Sequence, residues 1–177
     1  NMKGTRKVRK AIIPVAGLGT RMLPASKAVP KELLPILNKP VIQYVVEEAI
    51  DAGIQEIILI TNSNKEAIEN HFDSNFYLES SLKKTKKKKL LESVKDIIPE
   101  NINLTYIKQK KPLGLGDAIY RASELISNEP FAVLLPDEFL LNNSSLSDLK
   151  NMINNYNLSK EGQVLVEKIS SKFSKNY

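Results

Sequence analysis

The chain has 177 residues, of which 42% are hydrophobic and 26% charged, a length and balance that fit one globular domain with a real core. It has no cysteine and one histidine, His71, which excludes disulfides, thiolate metal sites and a zinc site built on several imidazoles. The formal charge of +6 equals the six lysines of residues 83–89, a run without an acid; the rest of the chain is balanced, and no aromatic residue interleaves with those lysines to give bases a stacking platform, so a nucleic-acid surface is not indicated.

In chain order, the basic stretch at residues 3–10 leads into an apolar run at 11–16. That run is too short for a secretion signal, and no stretch of the chain is long enough to span a bilayer. Residues 11–16 predict a strand instead. Residues 41–52 predict a helix with Ile42, Val45, Val46, Ala49 and Ile50 on one face and Gly53 at its carboxyl end. A second strand follows at 56–61, then a helix over 65–72 capped by Ser63 or Asn64. Residues 78–98 read as a longer charged helix, broken near the lysine run. Strands at 104–107, 131–135 and 163–167 alternate with helices at 117–126 and 145–156. The repetition of strand and helix predicts an α/β fold, a mostly parallel sheet with helices on both faces, spanning residues 1–177 as a single domain.

Ligands in such sheets sit beyond the carboxyl ends of the strands. The first strand ends at Ala16, which puts Gly17, Leu18, Gly19, Thr20 and Arg21 at that edge. Glycines there let backbone N–H groups close on a phosphate, and an arginine can fork onto its oxygens. The dinucleotide fingerprint is not present, because Met22 stands where its third glycine belongs; nor is a Walker A loop, because no Lys-Ser/Thr follows a glycine. Two glycines alone fit a plain strand-to-helix turn equally well. Lys31, clamped between Pro30 and Pro35 in an otherwise apolar segment, adds a second fixed cation and favours phosphate chemistry. Asp137 follows an apolar strand and reads either as a turn residue or as a carboxylate open to a ligand. Gln109 reads on its chemistry as a solvent-facing amide, and His71 as a residue that packs a helix end.

The segment from Ala16 to Pro24, with Pro30-Lys31-Glu32-Leu33-Leu34-Pro35 and Lys39-Pro40-Val41-Ile42-Gln43-Tyr44, closely resembles the bacterial UTP–glucose-1-phosphate uridylyltransferases (UDP-glucose pyrophosphorylases). So do Asn70-His71-Phe72-Asp73, Lys108-Gln109, Gly114-Leu115-Gly116-Asp117-Ala118 and the stretch from Pro130 to Asp137. Sister families that use dTTP share the Gly-Thr-Arg loop but usually open it with two glycines and lack Pro-Lys-Glu, so the chain sides with the uridylyl branch; a thymidylyltransferase activity is the alternative.

The resemblance implies a Rossmann-like nucleotidyltransferase fold and a magnesium-dependent in-line attack of glucose 1-phosphate on the α-phosphate of UTP. The products would be UDP-glucose and pyrophosphate. It implies Arg21 and Lys31 as catalytic cations. Ala16, Gly17, Gly19, Thr20, Glu32, Gln109 and Gly114 would bind the nucleotide, and Asp137 would bind Mg²⁺, with Glu138 a possible second contact. A uracil imide offers one donor and one acceptor edge, which the Gln109 amide would match. Asp117 stands where the family usually has histidine. The resemblance also implies a cytoplasmic enzyme, a homo-oligomer at full length, with no nucleic-acid or membrane partner. Family chains continue past the position of Tyr177 with a glutamate–lysine pair for the sugar and a second metal aspartate. This chain is therefore expected to be the nucleotide-binding portion, weakly active or inactive alone: either an enzyme by descent or a nucleotide-holding module.

Overall fold

The computed structural model describes residues 6–95, 97–137 and 147–166. Its centre is a four-stranded parallel sheet made of β1 (Lys10–Pro14), β4 (Glu56–Thr61), β5 (Asn103–Lys108) and β6 (Phe131–Val133), in the order β5-β4-β1-β6. A two-stranded antiparallel ribbon, β2 (Pro35–Ile36) with β3 (Lys39–Pro40), lies outside it. The central strands read as nearly unbroken apolar runs because both faces of a parallel sheet are covered.

The side-chain alternation of a strand sorts those runs onto two cores. Ala11, Ile13, Val15, Ile57 and Leu59 pack with Ile42, Val45, Val46 and Ala49 of α1 (Val41–Asp51), Ile68 of α2 (Glu66–Phe72), and Leu149 and Ile153 of α7 (Asp148–Ser159). Ile12, Ile58 and Ile60 point the other way, onto Ala118 of α5 (Leu115–Arg121), Ala122, and Ile126 of α6 (Ser123–Ile126). The expected three layers are therefore present. Gly53 follows α1 at φ +97°, a left-handed conformation that glycine adopts without a Cβ clash, and its N–H bonds the Ile50 carbonyl.

Ion pairs close the amino-terminal edge of the sheet. Buried Lys10 donates to the Leu125 carbonyl at 2.6 Å and pairs with Glu129 at 3.2 Å and Glu56 at 3.5 Å, while Arg9 pairs with both acids. The chain builds outward from β1 through β4 to β5 and then returns to lay β6 on the other side of β1. The crevice between the carboxyl ends of β1 and β6 is thus the point where strand order reverses, the usual ligand position in open α/β sheets.

The charged stretch breaks at the lysine run as expected, into two helices, α3 (Phe76–Lys84) and α4 (Lys88–Val94), separated by Lys86 at φ +55°. Like charges three and four apart disfavour one continuous helix, and the six lysines stay in solvent. Other elements differ from expectation. The helix expected at 117–126 breaks at Ala122 into α5 and α6. Neither Ser63 nor Asn64 caps α2: the Asn62 side chain accepts from the Asn64 N–H at 2.9 Å, and Lys65 takes the cap position. α7 starts at Asp148 with Ser147 as its cap, and residue 145 lies outside the described residues. Residues 163–166 form no strand; Val164 is 83% and Val166 81% exposed, with no neighbouring strand among the described residues to pair with. Glu138 and residues 167–177 also lie outside them. Among the described residues no helix is long and apolar enough to cross a membrane.

His71 packs edge-on against Phe72 at the end of α2, with Nε2 3.1 Å from Gln43 Oε1. Gln43 gives its own Nε2–H to Glu47, so His71 is the donor in that contact. Burial lowers the His71 pKa below its ordinary 6.5. The unfolded chain therefore takes up a proton before the folded one, and stability present above pH 6.5 is lost as the pH falls below it. Urea unfolding at pH 7.5 and 5.5 should show that loss, and His71→Gln should flatten it. An equal slope in the variant would remove His71 from the pH response.

Candidate active site

Strand register places the key residues on one level. Pro14 pairs with Ile60, Thr61 with Lys108, and Ile12 with Val133. Carried past the strand ends by the same offsets, Ala16, Asn62, Gln109 and Asp137 form a row along the carboxyl edge. Main-chain and side-chain bonds hold that row: Val15 N–H to Ile60 O at 2.9 Å, Leu134 N–H to Ile12 O at 3.0 Å, Gln109 N–H to Thr61 O at 2.7 Å, and Asn62 Nδ2 to Ala16 O at 2.7 Å.

The loop after β1 carries two glycines with different reasons for being there. Gly19 sits at φ +67°, and a Cβ on it would lie 3.2 Å from Ser26 Cβ and 3.5 Å from Lys31 Cβ. Its carbonyl accepts from Ser26 Oγ at 2.7 Å and from the Met22 N–H at 3.0 Å. Gly19 therefore fastens the loop against the segment that carries Lys31. Gly17 is exposed, and nothing in the protein comes within 4 Å of a Cβ there, so internal packing gives no reason for that glycine. Thr20 and Arg21 follow in one exposed 3₁₀ turn (Thr20–Met22).

Lys31 and Glu32 are neighbours in a second 3₁₀ turn (Lys31–Leu33), and their side chains part company. Lys31 crosses the crevice to Asp137, Nζ to Oδ2 2.9 Å, where the carboxylate is 52% exposed. The Lys31 hydrogen bond holds the Asp137 carboxyl below its usual range, with a smaller contribution from the charge of Arg21. Arg21 itself makes no hydrogen bond or ion pair among the described residues. Two cations and one ionised carboxylate thus stand around an open crevice beside Gly17.

The Glu32 side chain is buried, with Oε2 2.6 Å from Lys65 Nζ. Burial lowers the Lys65 pKa, and Glu32 opposes that shift. Oε1 of Glu32 has no partner among the described residues. The pair ties the Lys31 turn to the chain leaving β4, which makes Glu32 a support for Lys31.

Gln109 is also buried rather than solvent-facing. Its Nε2 donates to Asp117 Oδ2 at 2.6 Å and to the Gly114 carbonyl at 3.2 Å, so the amide does not keep both a donor and an acceptor free. Asp117 is paired in turn with Arg121, Nε to Oδ2 2.9 Å. The Gly114 carbonyl also takes the Ala118 N–H at 3.2 Å. Gln109 and Gly114 lie at the end of β5, two strands or about 10 Å from β1, so they do not join the Arg21–Lys31–Asp137 cluster but stand further along the same edge.

The model of the family described as nucleotidyl transferase matches residues 10–177, nearly the whole chain. The chain belongs to the nucleotidyl transferase family. Among curated members, it is 47% identical over 171 residues to the UTP–glucose-1-phosphate uridylyltransferase of Haemophilus influenzae, covering 95% of this chain and 58% of that protein. It is 48% identical over 167 residues to the Escherichia coli protein of the same name, covering 93% and 55%. Among solved structures, the UDP-glucose pyrophosphorylase of Acinetobacter baumannii superposes with a TM-score of 0.92 at 46% identity, over 96% of this chain and 60% of that one. A UTP-bound form from the same organism gives 0.84 at 48% identity, over 86% and 54%. This nucleotidyl transferase chain thus spans little more than half the length of the relatives it matches.

Sequence reasoning missed Lys65, Asn62, Ser26 and Arg121. Lys65 is a charge directly before a helix and looks solvated. Only its fold partner, 33 residues earlier, marks it out. Asn62 had a legible signal, a turn-forming side chain directly after a strand.

A buried carboxylate left unpaired is costly, so Lys65→Met should lower unfolding free energy by about 3 kcal/mol. Glu32→Gln combined with Lys65→Met should recover most of that loss. Urea denaturation of the three proteins checks it, and an undiminished midpoint in Lys65→Met would mean that Glu32 reaches water.

Proposed function

We propose that this chain binds UTP along the carboxyl edge of its sheet and supplies the nucleotide half of a uridylyltransferase acting on glucose 1-phosphate. The observation that carries the reading is the convergence of Arg21, Lys31 and Asp137 on the crevice beside Gly17. The names of the relatives, and the UTP-bound member among them, support the choice of nucleotide.

In the proposed reaction an oxygen of the sugar phosphate forms a bond to the α-phosphorus, and the bond from that phosphorus to the oxygen of the β-phosphate breaks. Pyrophosphate leaves. The nucleophile is already an anion at neutral pH, so no general base is needed. The barrier is the approach of like charges, and positioned cations lower it. Arg21 and Lys31 provide those charges, and the Gly17–Thr20 backbone provides N–H donors.

Asp137 fits the role of a divalent-cation ligand. It is ionised, half exposed and beside the phosphate space, and a magnesium ion commonly takes only one or two carboxylates with phosphate oxygens and water. When bound, the ion would offset phosphate charge. Lys31, whose pair with Asp137 is partly exposed, would turn to phosphate oxygens. The base would lie toward Gln109 and Gly114, further along the edge. Because the chain covers 55–58% of the curated relatives, a nucleotide-holding module that relies on a further segment for the sugar is the second reading.

Titration calorimetry of the chain with UTP and Mg²⁺ should show binding. Charge-assisted hydrogen bonds of this kind are worth about 1.5–3 kcal/mol, so Lys31→Ala or Arg21→Ala should weaken binding by about tenfold or more with the circular dichroism spectrum retained. Asp137→Asn should remove the dependence of UTP affinity on Mg²⁺. Binding with no pyrophosphate release on adding glucose 1-phosphate favours the module. Undiminished UTP affinity in both cation variants would overturn the site.

A further inference from the structure

The Gln109 carboxamide is held in one orientation by groups that admit no other. Its Nε2 lies 2.6 Å from Asp117 Oδ2 and 3.2 Å from the Gly114 carbonyl. Both neighbours are acceptors: the carbonyl by nature, and Asp117 because the Gln109 and Arg121 hydrogen bonds hold its carboxyl below the usual range and keep it ionised. Turning the amide over would set its oxygen against two other oxygens. Both amide hydrogens are therefore spent inside the protein. The oxygen accepts no hydrogen bond among the described residues, and it is not sealed from solvent.

A polar edge that can only accept is selective. Uracil carries N3–H, a donor. Cytosine presents N3 as a bare acceptor next to its amino group. An acceptor facing position 3 of the base matches the first and repels the second.

We propose that Asp117 is a positioning residue for base selection: by holding the Gln109 nitrogen inward it leaves only the Gln109 oxygen for the ligand, which favours a pyrimidine with N3–H over one with an unprotonated N3. This rests on the nucleotide reading given above. Asp117 touches no ligand in this account; it acts through Gln109. Arg121 also contacts Asp117, Nε to Oδ2 2.9 Å and Nη2 to Oδ1 3.3 Å, but it is not required to set the polarity, since the carboxylate accepts with or without it.

The test compares wild type, Asp117→Ala and Arg121→Gln, titrated with UTP and with CTP. Wild type should prefer UTP. Asp117→Ala should reduce the UTP-to-CTP affinity ratio by at least about tenfold, the usual scale for losing one matched polar contact, with CTP binding improved in absolute terms. Arg121→Gln removes the same helix ion pair but keeps the carboxylate, so it should retain the wild-type ratio. That separates selection from mere stabilisation of α5. A ligand-free readout accompanies it: the Gln109 side-chain NH₂ should exchange slowly with solvent in wild type and Arg121→Gln, and fast in Asp117→Ala. UTP binding with an unchanged ratio in Asp117→Ala, or rapid NH₂ exchange in wild type, would overturn the inference while leaving the nucleotide site standing. A wild type that binds neither nucleotide, with its NH₂ protected, would instead overturn the nucleotide reading and the base selection that depends on it.

Discussion

A parallel sheet buried on both faces leaves its ligand chemistry one place to go. Ile12, Ile13, Ile57, Ile58, Leu59 and Ile60 are almost wholly excluded from water, and no polar group could act among them without a large desolvation cost. The backbone that emerges at the carboxyl edge is free of that constraint. Because strand order reverses between β1 and β6, the two exiting chains diverge there and leave a crevice. Gly17 and Asp137 stand at its two sides, and Lys31 spans it.

Two ion pairs at this edge have opposite physical characters. Lys31–Asp137 is partly exposed. Pairs of that kind contribute at most about 1 kcal/mol, so this contact is readily exchanged. Lys65–Glu32 is buried on both sides and is costly to break from either one. Since Glu32 adjoins Lys31, the durable pair fixes the turn from which the exchangeable one reaches out. A 3₁₀ turn, with about three residues per turn, sends adjacent side chains in different directions and permits both.

Polar side chains elsewhere on the edge serve alignment. Asn62 ties the chain after β4 to Ala16, and Ser26 ties the glycine loop to the segment before Lys31. The Asp117–Gln109 contact does the same for an amide at the far end. At the opposite edge, Lys10 with Glu56 and Glu129 clamps the strand starts. The lysine-rich α3 and α4 remain outside both networks, solvated as their composition suggested.

How much was legible follows from the range of the interactions concerned. Strand and helix type, the two covered faces, the glycine loop and the position of Asp137 past a strand depend on periodicity and on neighbours a few residues apart, which are written along the chain. The break at Lys86 is also local, and for that reason the lysine run marked it in advance; the Asn62 turn is equally local and went unread. Whether Lys31 meets Asp137, 106 residues later, or Glu32 turns inward to Lys65 depends on strand order, and strand order is a property of the packed sheet. The same holds for Gln109: its residue type provides both a donor and an acceptor, and only the folded position of Asp117 decides which of them is left for a ligand.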